Sequence, residues 1–168
     1  MNVTVREATD DARDLDAMVA MTLALRQFHR ECEPGSRHVT PDTADVERQK
    51  IIEWLADGDR RLVVATTETG ELVGMAMGRI DRDTGHGHGD FGYIGRVYVA
   101  PEWRSRGVAR RLLKRLCDFF AAEKLEAVSL HYLVKNELAG RFWTWLGFEP
   151  FLMNARTTLD ALADRLSE

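Results

Sequence analysis

The run Val97-Tyr98-Val99-Ala100-Pro101-Glu102-Trp103-Arg104-Ser105-Arg106-Gly107-Val108-Ala109-Arg110-Arg111 brings three features together. An extended, β-branched segment stops at a proline, a short turn follows, and a helix begins at once, with Ala109, Leu112, Leu113, Leu116, Phe119 and Phe120 recurring at helical spacing. The first-turn N–H groups of a helix have no intrahelical acceptor, the macrodipole makes that end positive, and Gly107 lets a ligand come close to the chain. Arg104, Arg106, Arg110 and Arg111 crowd the same end, where each cation costs a few tenths of a kcal/mol or more unless an anion is present. Strand, glycine turn and helix start together therefore predict an anion site at the opening of this helix. The competing reading is a solvated basic face on a core helix, and Lys114 and Arg115 fit that description.

Other residues could do chemistry with less specific spacing. His131 lies in the β-rich run Ala127–Val134 beside Tyr132; a neutral imidazole accepts protons near neutral pH, and it reads equally as a histidine on a strand face or within a core. Arg96 suits either a substrate carboxylate or an acidic neighbour. His86, His88 and Asp90 could hold a metal, against the alternative of a polar hairpin tip. The glycines around those histidines precede a strand rather than a helix, so they lack the geometry that cradles a dinucleotide. No G-x-x-x-x-G-K-[ST] loop is present. Cys32 and Cys117 are too few for a disulfide framework, and Cys117 reads as a buried structural thiol on the apolar stripe of its helix. In Asn136–Phe148, two tryptophans and two phenylalanines accompany a helix stop at Gly147; Trp145 is expected to be core.

The elements that must carry these residues alternate. A strand is predicted over Val3–Glu7. A helix from Asp10 or Asp11 to about Arg30 follows, with Leu15, Met18, Val19, Thr22, Leu25 and Phe28 on one face. A loop with Pro34, Gly35 and Pro41 leads to a helix over about Asp42–Asp57. Strands at Arg61–Glu68 and Leu72–Ile80 flank a hairpin turn, and a glycine-rich link joins them to a strand over Phe91–Pro101. Then come a helix from about Gly107 to Glu123, the strand Ala127–Val134, a helix over Asn136–Leu146, a strand near Phe148–Thr157 and an amphipathic segment, Leu159–Leu166.

Composition bounds what such a chain does. Its 168 residues fit one domain, and 45% hydrophobic with 30% charged residues is ordinary for a globular protein. No apolar run reaches the roughly 18 residues of a membrane span, and the N-terminus has no signal-peptide pattern, so a cytoplasmic location without membrane association is the expectation. A net charge of −4 argues against nucleic acid as the main partner, although the arginines leave that reading in view.

Arg104, Gly107 and Ala109 occupy the defined positions of R/Q-x-x-G-x-G/A, and in this the sequence resembles the GNAT superfamily of acetyl-CoA-dependent N-acetyltransferases. The block N-x-x-A-x-x-F-W-x-x-L-G-F from Asn136 to Phe148 is similar to the family's second motif. The resemblance spans roughly Leu62–Phe151. It implies an α/β (α+β) GNAT fold over residues 1–168 as a single domain: a central mixed, mostly antiparallel twisted sheet of six to seven strands, flanked by helices and splayed between the fourth and fifth strands. It implies acetyl-CoA as the acetyl donor, with no metal. Val97, Tyr98 and Val99 would pair with the pantetheine arm, the Arg104–Arg110 turn would hold the pyrophosphate, and Asn136 and Trp143 would meet the coenzyme. The partner is a primary amine of a small molecule or peptide that attacks directly in a ternary complex; a homodimer is compatible with the reading.

Such a transfer needs a neutral amine, a stabilised oxyanion and a departing thiolate. Backbone N–H groups around Val99 would serve the oxyanion, and His131 stands where some members carry a glutamate base. Trp143 falls where many members have an acidic tyrosine, and an indole N–H donates a hydrogen bond without delivering a proton. Tyr132, Tyr98 or water would then protonate the sulfur, or the thiolate leaves unaided. Trp143 also supports an alternative in which the domain is catalytically weak or idle and binds acyl-CoA as a sensor or assembly module. The acceptor site implied by the family lies near His29, Glu31, Glu33, Arg37 and His38.

Overall fold

The computed structural model describes residues 2–33, 43–82 and 89–167. The chain divides into two compact units, Met1–Lys135 and Asn136–Glu168. The first holds β1 (Val3–Glu7), α1 (Ala12–Cys32), α2 (Ala44–Leu55), β2 (Arg60–Thr67), β3 (Leu72–Asp81), β4 (Phe91–Val99), a 3-10 turn (Pro101–Trp103), α3 (Val108–Ala122) and β5 (Val128–Leu130). One sheet runs in the order β1-β2-β3-β4-β5. Its first three pairings are antiparallel and β4 pairs with β5 in parallel, so the sheet is mixed and mostly antiparallel. The parallel step needs a crossover, and α3 supplies it.

Helices cover both faces of the sheet, which is why β2 and β3 read as nearly continuous apolar runs rather than alternating ones. On one face Leu62, Val64, Met75 and Met77 pack with Leu15, Met18 and Val19 of α1 and Ile51 of α2. On the other face α3 lies against small residues. A Cβ added at Gly92 would come within 2.8 Å of the Phe120 ring, and one at Gly78 within 2.9 Å. A Cβ at Gly74 would meet the Tyr98 carbonyl oxygen at 2.9 Å and the Leu112 and Val108 side chains at 3.2 and 3.4 Å. Glycine at these positions lets a helix carrying Leu112, Leu116 and Phe120 settle close to the strands.

The entry of α1 is pinned by charge. Asp11 caps the helix, accepting from the Asp14 N–H, and Asp14 itself is almost wholly buried. Its carboxylate takes two hydrogen bonds from Arg6, at 2.6 and 2.7 Å, and one from the Thr9 N–H at 2.9 Å. The Arg6 guanidinium holds the Asp14 carboxyl below the usual carboxylate range, working against burial, with the Thr9 bonds adding to the effect.

The second unit holds α4 (Glu137–Trp145) and α5 (Leu159–Leu166). Asn136 caps α4 through Ala139 N–H, and Gly147, at φ 91°, ends it. The N–H groups of Gly147 and Phe148 return to Thr144 and Trp143 carbonyls, which satisfies the last turn.

Several expectations need correction. Five strands form among the described residues, not six to seven, because the segment near Phe148–Thr157 pairs with nothing and is exposed from Glu149 on. Alternation predicts a strand; a ladder partner makes one. Strand β5 spans three residues rather than Ala127–Val134, since its ladder with β4 ends at Ile94 and Leu130. Cys117 is exposed, for it lies more than a quarter turn from the line of Val108, Leu112, Leu116 and Phe119. Trp145 is 63% exposed while Trp143 is buried, so only one of the paired tryptophans is core. Asp42, Arg37, His38, His86 and His88 lie outside the described residues. No described helix is long and apolar enough to cross a membrane.

Candidate active site

Arg104 and the residues after it form a turn that only particular backbones tolerate. Ser105 has φ 59° and Gly107 φ 77°, both in the left-handed region. Gly107 is the N-cap residue of α3, and no side chain caps that end. The amides of the first turn therefore point out of the helix without a side-chain acceptor, and the space in front of Gly107 is open to 4 Å. The first turn contains no acidic residue. Around it the arginines are individually positioned: Arg104 Nε donates to the Val99 carbonyl at 3.0 Å, Arg106 lies over the Trp103 ring at 5.6 Å, and Arg111 donates to the Val3 carbonyl at 2.8 Å. Positive charge and oriented N–H groups thus converge where the sequence predicts an anion.

Strand β4 leads into this turn with one edge open. Its ladder with β5 stops at Ile94, yet β4 continues to Val99, so the two strands separate. The Ala100 N–H bonds to the Val73 carbonyl at 2.9 Å, and antiparallel alternation then directs the N–H groups of Val97 and Val99 away from β3, into the gap. Tyr98 packs on the core beneath α1 and α2. A polar extended ligand arm has backbone partners there.

One residue before Arg96 the register shifts. Met77 pairs with Arg96 and Gly78 with Ile94, so Gly95 is the extra residue of a β-bulge. A Cβ on Gly95 would sit 3.7 Å from Trp54 of α2 and 3.8 Å from the Tyr93 ring. Gly95 is exposed, so these two rings border an open floor. Tyr93 carries Arg79 over its ring at 3.9 Å, and its hydroxyl lies 3.0 Å from His131 Nδ1. His131 follows the last residue of β5, at the point of separation, and is exposed. Tyr132 is half-buried.

Behind the bulge is a charged cluster. Glu47 of α2 is fully buried and faces Arg26 of α1 at 2.6 Å, Lys50 at 3.1 Å and Arg96 at 3.4 Å. Burial pushes the Arg96 guanidinium down from its ordinary value; Glu47 opposes that and Arg26 reinforces it.

In the second unit Asn136 Oδ1 is committed to the cap of α4, accepting from Ala139 N–H at 3.1 Å. Trp143 packs edge-on against Phe142 and Phe148, with ring centroids 5.1 and 5.4 Å away. Of the loop residues named as acceptor candidates, Glu33 pairs with Lys135 at 3.1 Å and Glu31 accepts from Gln27. Asp90 is held by Arg82, and no group of metal-ligating side chains assembles among the described residues.

Sequence reasoning passed over Glu47, Trp54, Tyr93 and the bulge. A glycine between Ile94 and Arg96 in an otherwise β-rich run is a bulge signal that could have been read. Nothing local distinguishes Glu47 from an exposed glutamate on an amphipathic helix.

The acetyltransferase (GNAT) family model matches residues 22–148. The chain belongs to this family. As an acetyltransferase of the GNAT family it shares its fold with solved structures at low identity. A mutant of the BH1408 protein of Bacillus halodurans matches with TM-score 0.82 at 16% identity, over 93% of this chain and 99% of the other. Glucosamine-6-phosphate N-acetyltransferase of Arabidopsis thaliana matches with TM-score 0.68 at 16% identity, over 95% and 99%. The acetyltransferase AAC(6')-Iy, solved with a bisubstrate analogue of coenzyme A and an acetylated neamine, matches with TM-score 0.68 at 17% identity, over 94% and 99%. Five strands form among the described residues rather than six to seven; the mixed sheet and its flanking helices are those of the family.

Proposed function

We propose that this acetyltransferase moves an acetyl group from acetyl-CoA to a primary amine of a small molecule or peptide, by direct attack, and that residues 1–168 act as one such domain. One observation carries the reading: the uncapped first turn of α3, with Gly107 in the left-handed region, stands at the end of a strand whose edge is open. The donor fits these residues. Its pyrophosphate would be held by the amides from Ser105 to Arg110, with Arg104 and Arg106 adding charge. Its pantetheine arm would run beside Val97, Tyr98 and Val99 as an added strand. Asn136 and Trp143 belong to the proposal by the family's second motif.

When bound, acetyl-CoA supplies an activated acyl carbon on a thiol that leaves readily. Val97 and Val99 offer fixed N–H groups toward the gap, where an oxyanion would accept them without reorganisation. The Tyr93 hydroxyl lies 3.0 Å from His131 Nδ1; in the tautomer that carries its hydrogen on Nδ1, that N–H donates to the hydroxyl oxygen and Nε2 keeps a lone pair to accept the amine's proton. Tyr132 is the remaining tyrosine proposed to protonate the thiolate. The second reading, an acyl-CoA-binding domain with little turnover, is favoured by Trp143, a buried ring at the position where the family's second motif often has a tyrosine acid.

Calorimetric titration with acetyl-CoA tests the donor site, and thiol release across a panel of amines separates enzyme from sensor. Gly107→Glu places a side chain on a left-handed backbone and a negative charge against the phosphates, so it should abolish coenzyme binding. Unchanged affinity would remove the turn from the site.

A further inference from the structure

We infer that the amine acceptor carries an anionic group, a carboxylate or a phosphate, and that Arg96 beside the Gly95 bulge receives it. The inference rests on the acetyltransfer reading for the identity of the ligand, while its charge argument rests on the first unit alone. Glu47 divides one negative charge among Arg26 at 2.6 Å, Lys50 at 3.1 Å and Arg96 at 3.4 Å. Arg96 stands farthest from it, and no other described carboxylate lies against this guanidinium. It is therefore the least neutralised member of the cluster, and its side chain is only 28% exposed. A cation that is partly stripped of water and incompletely paired favours a counter-ion strongly.

The donor geometry says how Arg96 would take it. Nη1 makes both of the guanidinium's contacts, to Glu47 Oε2 at 3.4 Å and to the Met77 sulfur at 3.9 Å. Nε and Nη2 make no hydrogen bond among the described residues, and the side chain keeps 28% of its surface exposed. A guanidinium held from behind by a carboxylate, with two parallel N–H groups free, is arranged for bidentate recognition of a carboxylate or phosphate. Next to it in the chain lies the exposed Gly95 floor between Trp54 and Tyr93, and the Tyr93 hydroxyl reaches His131. An acceptor whose anion sits on Arg96 would extend its amine along β4 across that floor.

The test has two arms on the full chain. In the first, thiol release is followed with matched amine pairs: an amino acid against its amide, and an amino-sugar phosphate against the unphosphorylated amino sugar. The anionic members should be preferred by about 10- to 100-fold in kcat/KM, chiefly through KM, and Arg96→Gln should lower their kcat/KM by that factor relative to the neutral members. Arg96→Lys should restore part of the preference, since it keeps the charge and loses the fork. Equal use of both members by the wild type, or an equal loss for both in Arg96→Gln, overturns the inference.

In the second arm the Nε–H resonance of Arg96 is titrated with inorganic phosphate, with acetate and with acetamide, using Arg82, already paired with Asp59 and Asp90, as internal control. Saturating shifts at Arg96 with the anions alone support the site, and the tighter anion names its source. No shift, or the same shift at Arg82, overturns it. Because this arm needs no turnover, a chain that acetylates nothing yet binds anions at Arg96 contradicts the proposed activity and not the anion site.

Discussion

Asp14 and Glu47 are both carboxylates with almost no exposed surface, and they are solved differently. Asp14 is matched by Arg6, Thr9 and a backbone amide, which leaves a closed and neutral set. Asp14→Asn should cost about 2–3 kcal/mol in urea unfolding, because the charged bonds to Arg6 are lost while Arg6 keeps access to water. The folded carboxyl titrates below its unfolded value, so its contribution is complete above about pH 4 and fades as pH falls toward the depressed folded value. The same substitution should therefore remove part of the acid slope of wild-type stability below about pH 4; an unchanged slope would show that the pair is not ionised as described. His131 is the base in the proposed transfer. His131→Ala should lower kcat by about a hundredfold or more and flatten the rise of rate with pH, and Tyr93→Phe should give a smaller loss by freeing the ring. If the profile survives His131→Ala intact, the histidine is structural.

Glycines decide how closely the elements approach, and this is where sequence and structure agree least evenly. The helices α1 to α4 and the strands β1 to β4 were legible because each carries its own period, cap or turn: Asp11 and Asn136 as N-caps, Gly70 at φ 78° between β2 and β3, Gly107 at the start of α3. The turn at Arg104–Ala109 was legible for the same reason, since its chemistry is local. What depends on partners distant in the chain was not: β5 is cut short by the divergence of β4, the segment after Phe148 lacks a ladder, and Glu47 is buried by Arg26 and Arg96 from two other elements. At Gly92 a Cβ would meet three ring atoms of Phe120 at 2.8 to 2.9 Å. Gly92→Ala is expected to destabilise the chain by about 1–3 kcal/mol in denaturant titration. Gly58→Ala, with nothing within 4 Å, should change stability far less. Equal effects at the two positions would mean that helix α3 does not bear on the sheet through Phe120.

At the scale of the whole molecule, a net charge of −4 coexists with an arginine-lined helix start, so local field rather than total charge would govern the approach of the proposed anionic donor. Added salt should weaken coenzyme binding accordingly. Acetyl-CoA at about one hundred times its Kd should stabilise the folded chain by about 2.7 kcal/mol, which for a protein of this size raises Tm by about 5–10 °C. A Tm indifferent to acetyl-CoA at any concentration would deny a donor site in the folded chain. Gly74 would give the proposed donor site a control that no ligand contact reveals. It lies under Val108 and Leu112, the opening turn of α3, and against the Tyr98 carbonyl of β4. It acts as a shim whose thickness sets the height of the helix tip above the strand edge. Gly74→Ala would thicken it by one methyl group, so the amides and the strand would part slightly while every residue facing the donor stayed unchanged, and the donor's two ends would no longer fit both at once.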